Sequence, residues 1–155
     1  DRFENLNLAT SYLEEYKIKI IKRSSFYETP SYPDNKNPKF INIVVEISTN
    51  FSPAELASKL LLVEEELERK RNYKNEPRTC DIDIIDFHSQ IIDFKYKNLD
   101  FTVPHDKLVY RNFVLIPLKD IIPDWIHPKT KETIDFLIDR LSEMEKKSIL
   151  KVRKS

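Results

Sequence analysis

The chain has 155 residues, with lysine plus arginine equal to aspartate plus glutamate at 26 each and a formal net charge of zero. That balance gives no global pull toward nucleic acid, a membrane surface or a polyanion, and no run of about 18 apolar residues is present to span a bilayer. A single domain over residues 1–155 is expected at this length, in the cytoplasm, because Cys80 is the only cysteine and has no internal disulfide partner.

Glycine is absent, against a usual share of about 7%. Positions needing positive φ are therefore expected to fall to Asn, Asp or local distortion. The chain starts at Asp1, with no initiator methionine, directly in a helical pattern. A preceding segment is expected.

Phe3, Leu6, Ala9, Leu13 and Tyr16 recur at three- to four-residue spacing, which predicts a helix over 2–16. The period then changes. Residues 17–27 are β-rich with partial alternation, and 28–38, with Pro30, Pro33 and Pro38, read as a loop. Residues 40–49 alternate, with Ile41, Ile43, Val45 and Ile47 on the core face and Asn42, Glu46 and Ser48 opposite. Ser52-Pro53-Ala54-Glu55 is a capping box with proline at the first helical position, opening a helix over 53–70 on the stripe Leu56, Leu60, Val63 and Leu67. A loop over 72–78 leads to a strand over 81–87 and a short extended piece at 99–104. Helices are expected over 111–120 and 131–146, and Ile149-Leu150-Lys151-Val152 reads as a final edge strand. This order predicts an α+β fold with a mostly antiparallel sheet.

The sharpest chemical signal is Asp81-Ile82-Asp83. Alternate strand residues project to one face roughly 6.5–7 Å apart, so two carboxylates share a wet side while Ile82 and Ile84 face the core. Hard oxygen ligands in that number suit Mg²⁺, which fills the rest of its shell with water and phosphate. Such a pair also occurs on ordinary solvated strand faces. Here Arg69, Lys70, Arg71, Lys74 and Arg78 precede it, and phosphoryl transfer relies on cations placed around a polyphosphate. Arg69 to Arg71 also complement a helix C-terminus, a reading that does not reach Arg78.

Read in order, Ser24-Ser25-Phe26-Tyr27-Glu28-Thr29-Pro30, Phe40-Ile41-Asn42, Ser52-Pro53-Ala54-Glu55-Leu56, Glu64, Arg69-Lys70-Arg71, Pro77-Arg78-Thr79-Cys80-Asp81-Ile82-Asp83-Ile84, Pro104-His105 and Arg111-Asn112-Phe113-Val114-Leu115 with Pro117-Leu118 resemble the 6-hydroxymethyl-7,8-dihydropterin pyrophosphokinase family. The resemblance covers roughly 1–128 in colinear order. It implies a ferredoxin-like α+β fold and transfer of pyrophosphate from ATP to the pterin hydroxymethyl group, releasing AMP, in folate biosynthesis. It further implies two Mg²⁺ ions on Asp81 and Asp83, with Arg69 and Arg78 joining them in catalysis. ATP contacts are implied for Glu64, Arg71, Arg78, Thr102, His105 and Arg111. The pterin pocket is implied for Thr29, Pro30, Phe40, Asn42 and Phe113, where rings sandwich the heterocycle and the Asn42 amide meets its polar edge. The implied partners are these small molecules alone, with no nucleic acid and no membrane, and the implied state is a monomer.

The sequence departs from the family pattern in places. The family's first strand and Gly-Ser-Asn turn would precede Asp1. Glu68 and Glu76 stand where glycine is common, Asp100 where arginine occurs and Asp106 where tyrosine is frequent, and the loop from Arg71 to Pro77 is a residue shorter, with Tyr73 in place of a tryptophan. The glycine replacements motivate an alternative, a binding module that lost turnover. A second alternative, a single-stranded nucleic-acid binder, would need an exposed aromatic pair on adjacent strands within a basic face.

Overall fold

The computed structural model describes residues 2–30, 39–70 and 80–152. Within them the helices are α1 (Arg2–Glu15), α2 (Pro53–Arg69), α3 (Asn112–Ile121), α4 (Ile134–Asp139) and α5 (Glu143–Ser148), with a 3-10 turn at Leu108–Tyr110. The strands are β1 (Lys19–Arg23), β2 (Phe26–Thr29), β3 (Phe40–Asn42), β4 (Val45–Ser48), β5 (Ile92–Tyr96), β6 (Leu99–Val103) and β7 (Leu150–Val152). They form sheets ordered β1-β4, β3-β2-β7 and β5-β6, and the pairs β2-β3, β2-β7 and β5-β6 are antiparallel. The fold is α+β. The chain divides into two compact units, Asp1–Ile21 with Ile47–His105, and Lys22–Glu46 with Asp106–Ser155.

The first unit is built on α1 against α2. Ala9 and Leu13 of α1 join Ile18 and the α2 stripe Leu56, Leu60, Val63 and Leu67 in one buried cluster, as the helical spacing requires. The predicted box starts α2: Ser52 Oγ accepts from Glu55 N at 3.2 Å and Glu55 Oε1 accepts from Ser52 N at 3.1 Å. The Ser52 backbone bond holds the Glu55 carboxyl below its ordinary range. At the other end of α1, Ile18 N donates to Leu13 O and Lys17 N to Glu14 O, both at 3.0 Å. That is the two-bond cap that normally seats glycine, and Lys17 takes the seat at φ 67°. The other described positive-φ residues are His88, Ser89, Lys97, Asn98 and Lys131. The expectation of Asn and Asp there holds at one position, since hydrogen bonding around each turn outweighs the small cost of a Cβ.

Two predicted strands break where a side chain competes with the ladder. Ser24 N donates to Val44 O at 2.9 Å while Ser24 Oγ accepts from Val44 N at 3.0 Å. The run 17–27 accordingly splits into β1 and β2, and 40–49 into β3 and β4. The predicted strand over 81–87 is a further correction: among the described residues it pairs with no strand. Its alternation survives, because Cys80, Ile82, Ile84 and Phe87 still pack on the α1-α2 cluster, but its backbone bonds elsewhere. Ile82 N donates to the Glu64 carboxylate and Ile85 O accepts from His105 N. Strand β5 was not predicted. It pairs with β6 through Lys97-Asn98, both at positive φ, the turn whose twist matches a hairpin.

In the second unit β2 is the middle strand, with Tyr27 opposite Asn42, Thr29 opposite Phe40, and Phe26 opposite Val152. The predicted edge strand at the C-terminal end is therefore real. Helix α3 packs on β2, β3 and α4. The single helix predicted over 131–146 is instead α4 and α5, because Thr133 and Ser142 each cap a new start. Thr133 Oγ1 accepts from Phe136 N at 3.1 Å, and Ser142 exchanges two 3.1 Å bonds with Glu145.

Candidate functional site

The first unit carries the candidate carboxylates. Asp81 and Asp83 are exposed on either side of half-buried Ile82. Ile82 N donates to Glu64 Oε2 at 2.6 Å, so α2 grips the backbone between the two aspartates. That bond fixes which way the pair faces. His105 follows the cis Val103-Pro104 bond, donates its N–H to Ile85 O at 3.1 Å, and sets Nε2 3.8 Å from Asp83 Oδ2. Glu64, Asp81, Asp83 and His105 are thereby brought together. Thr102 lies on β6, its hydroxyl donating to Asp93 Oδ1 at 3.0 Å. Arg69 ends α2, exposed and paired with Glu66 one turn back. Arg71 and Arg78 lie outside the described residues.

Among the described residues no three His, Cys, Asp or Glu side chains are grouped to hold a metal ion. Two exposed carboxylates are nonetheless the donor set that suits Mg²⁺, whose remaining positions go to water and phosphate oxygens. The donor chemistry fits the ion.

The second unit carries a separate group of candidate residues. Thr29 is buried at the end of β2, and its Oγ1 accepts from Asn42 Nδ2 at 3.1 Å. The Asn42 amide oxygen keeps its acceptor capacity beside that bond. Phe40 is 51% exposed, an apolar ring facing water at the edge of the sheet. Pro30 is exposed next to Thr29. Phe113, at the start of α3, is half-buried with the Arg111 guanidinium carbon 5.4 Å from its ring centroid, a cation-π contact that orients both.

Residue reasoning gave no role to Tyr27 or Asp120. Tyr27 is buried on β2, opposite Asn42, and its hydroxyl donates to Asp120 Oδ2 at 2.7 Å; Ser25 N donates to the same oxygen at 3.3 Å. Asp120 on α3 thus ties that helix to the strand bearing Thr29. A buried tyrosine needs a partner for its hydroxyl, which is the signal that could have found it. Burial, and then the Asp120 carboxylate, push the phenol above its ordinary range. The folded chain holds this proton more tightly than the unfolded one. Stability therefore falls as pH rises above about 10, by up to about 1.4 kcal/mol per unit. In Tyr27→Phe that contribution is expected to vanish, and equal slopes for wild type and variant in urea titrations from about pH 9 to 11 would show that Tyr27 ionises freely.

The hairpin β5-β6 stacks Phe94 on Phe101 at 4.9 Å and 5°. Both rings are half-buried, and the alternate positions carry Asp93 and Asp100 with Lys95. This is not the basic face that base stacking needs.

The family model described as 7,8-dihydro-6-hydroxymethylpterin-pyrophosphokinase (HPPK) matches residues 1–123. The chain belongs to this family. It is similar to the 2-amino-4-hydroxy-6-hydroxymethyldihydropteridine pyrophosphokinase of Synechocystis, 36% identical over 124 residues, covering 80% of this chain and 61% of that protein. The pyrophosphokinase of Aquifex aeolicus is 36% identical over 128 residues, covering 83% of this chain and 77% of its own length. A folic acid synthesis protein of Schizosaccharomyces pombe is 33% identical over 142 residues, which is 91% of this chain but 19% of that protein. The chain thus spans less than two thirds of the Synechocystis relative and under a fifth of the yeast one. The HPPK match takes in the candidate residues of both units, from Thr29 to Phe113, and stops before α4, α5 and β7.

Proposed function

We propose that this chain transfers a pyrophosphoryl group from ATP to the hydroxymethyl oxygen of 6-hydroxymethyl-7,8-dihydropterin, giving AMP and the pterin diphosphate, in cytoplasmic folate synthesis. The observation that carries the reading is the Asp81-Ile82-Asp83 segment clamped by Glu64 and faced by His105, in a chain of the HPPK family whose relatives are named for this reaction. The ferredoxin-like arrangement and a monomeric state belong to the same reading.

In this reaction the hydroxymethyl oxygen attacks the β-phosphorus. The bond from that phosphorus to the α–β bridging oxygen breaks, AMP departs with that oxygen, and the hydroxyl proton passes to solvent. Asp81 and Asp83 would hold two Mg²⁺ ions, which neutralise polyphosphate charge when bound. Glu64 keeps the two carboxylates aimed to one side through Ile82 N. Arg69, Arg71 and Arg78 supply guanidinium forks for the phosphates, and Thr102, His105 and Arg111 make further ATP contacts. Phe40 and Phe113 stack on the flat pterin, while Thr29, Pro30 and Asn42 line its edge and the Asn42 amide reads it.

The test is AMP release from ATP by the full chain with 6-hydroxymethyl-7,8-dihydropterin and Mg²⁺. AMP that depends on the pterin and stops on chelation by EDTA is the expected result. Pterin binding without AMP would leave the non-catalytic binding module in its place.

A further inference from the structure

Asn112 stands between Arg111 and Phe113, and its side chain bonds to a different helix. Its Nδ2 donates to Glu145 O at 2.6 Å and to Ser148 Oγ at 3.1 Å, while the Ser148 hydroxyl donates to Glu145 O at 3.2 Å. Both acceptors sit on α5. A carboxamide is the side chain that can give two hydrogens at this reach.

Helix α5 buries no residue of its own. At six residues it is too short to persist on propensity, so it stands on its Ser142-Glu145 capping box. Directly after it, β7 pairs with β2 through Glu28 opposite Leu150, one residue before Thr29. The segment from Ser142 to Val152 therefore touches the neighbourhood of this unit's candidate residues twice. It holds the turn that presents Arg111 and Phe113, and it flanks the strand that presents Thr29.

We propose that α5 and β7 form a brace that positions the substrate-facing residues of this unit, with Asn112 as the positioning residue through which α5 acts. This rests on the pyrophosphokinase reading for the identity of the substrate. It assigns the segment beyond the HPPK match more than a packing role. Asn112 touches no reacting atom in this scheme. Its amide fixes the direction in which α3 begins, and so the angle at which the Phe113 ring and the Arg111 guanidinium are offered.

The experiment compares three full-length variants with the wild type, well below their melting temperatures. Asn112→Ala removes the brace bonds; Ser142→Ala removes the N-cap of α5; Thr133→Ala removes the equivalent N-cap of α4, which does not hold Asn112. Two readouts are taken: affinity for 6-hydroxymethyl-7,8-dihydropterin by fluorescence titration, and hydrogen exchange of the amides at 111–115. Asn112→Ala and Ser142→Ala are expected to weaken pterin binding by about fivefold or more and to speed that exchange by a similar factor. Thr133→Ala, an equal lesion to stability, is expected to do neither. Asn112→Ala binding within about twofold of wild type, or Thr133→Ala as weak as the other two, would overturn the brace. A wild-type chain that binds no pterin sinks the substrate reading instead, and the exchange comparison still decides the brace.

Discussion

Asp81→Ala and Asp83→Ala are each expected to lower pterin-dependent AMP formation by about 10³-fold, equivalent to roughly 4 kcal/mol of transition-state stabilisation. The size follows from charge. In the proposed reaction the two exposed carboxylates would be the protein's share of a divalent-metal site, and with one removed the polyphosphate's negative charge would meet the nucleophile without its counterion. Stability should barely change, within about 0.5 kcal/mol, because neither side chain is buried. Steady-state kinetics beside thermal unfolding separates the two effects. A loss below about tenfold in both variants would show that the pair is an ordinary solvated face, not a metal clamp.

The second large effect belongs to Glu64. Its carboxylate accepts the Ile82 N–H at 2.6 Å, so Glu64→Ala leaves a partly buried donor unpaired, at a cost of about 1–3 kcal/mol. The segment bearing both aspartates is then free to turn. We expect kcat to fall by about 10- to 100-fold, with ATP affinity changing less, because misplacement by about an ångström is what costs rate. Glu64→Gln keeps a side-chain oxygen for the Ile82 N–H and is expected to recover most of the rate. If glutamine is as poor as alanine, the carboxylate acts on ATP through its charge and not on the backbone of the aspartate segment.

The candidate site was legible in sequence to different depths. The capping box at Ser52, the stripe from Leu56 to Leu67 and the alternation of Ile82 and Ile84 against Asp81 and Asp83 all appear where the residues placed them. Each is a local matter of spacing and of side chains within reach of their own backbone. Thr29, Asn42, Arg111 and Phe113 were named from colinear motifs, yet the Thr29-Asn42 bond joins residues 13 apart and the Arg111-Phe113 contact depends on how α3 begins. Those contacts required the β2-β3 register and the helix start.

What the amino-acid order determined by itself was the class of the fold, most helix starts and the inventory of chemical groups, because periodicity, caps and motif order are written within a few residues of one another. What the tertiary structure alone decided was where the backbone of each group is anchored. Ser24 cuts two strands by binding Val44, the run 81–87 bonds to Glu64 and His105 instead of a ladder, Lys17 occupies a glycine's seat, and Asn112 reaches α5 across more than thirty residues. A hydrogen bond between distant residues has no periodicity to betray it. It exists only once the rest of the unit has folded around its two ends.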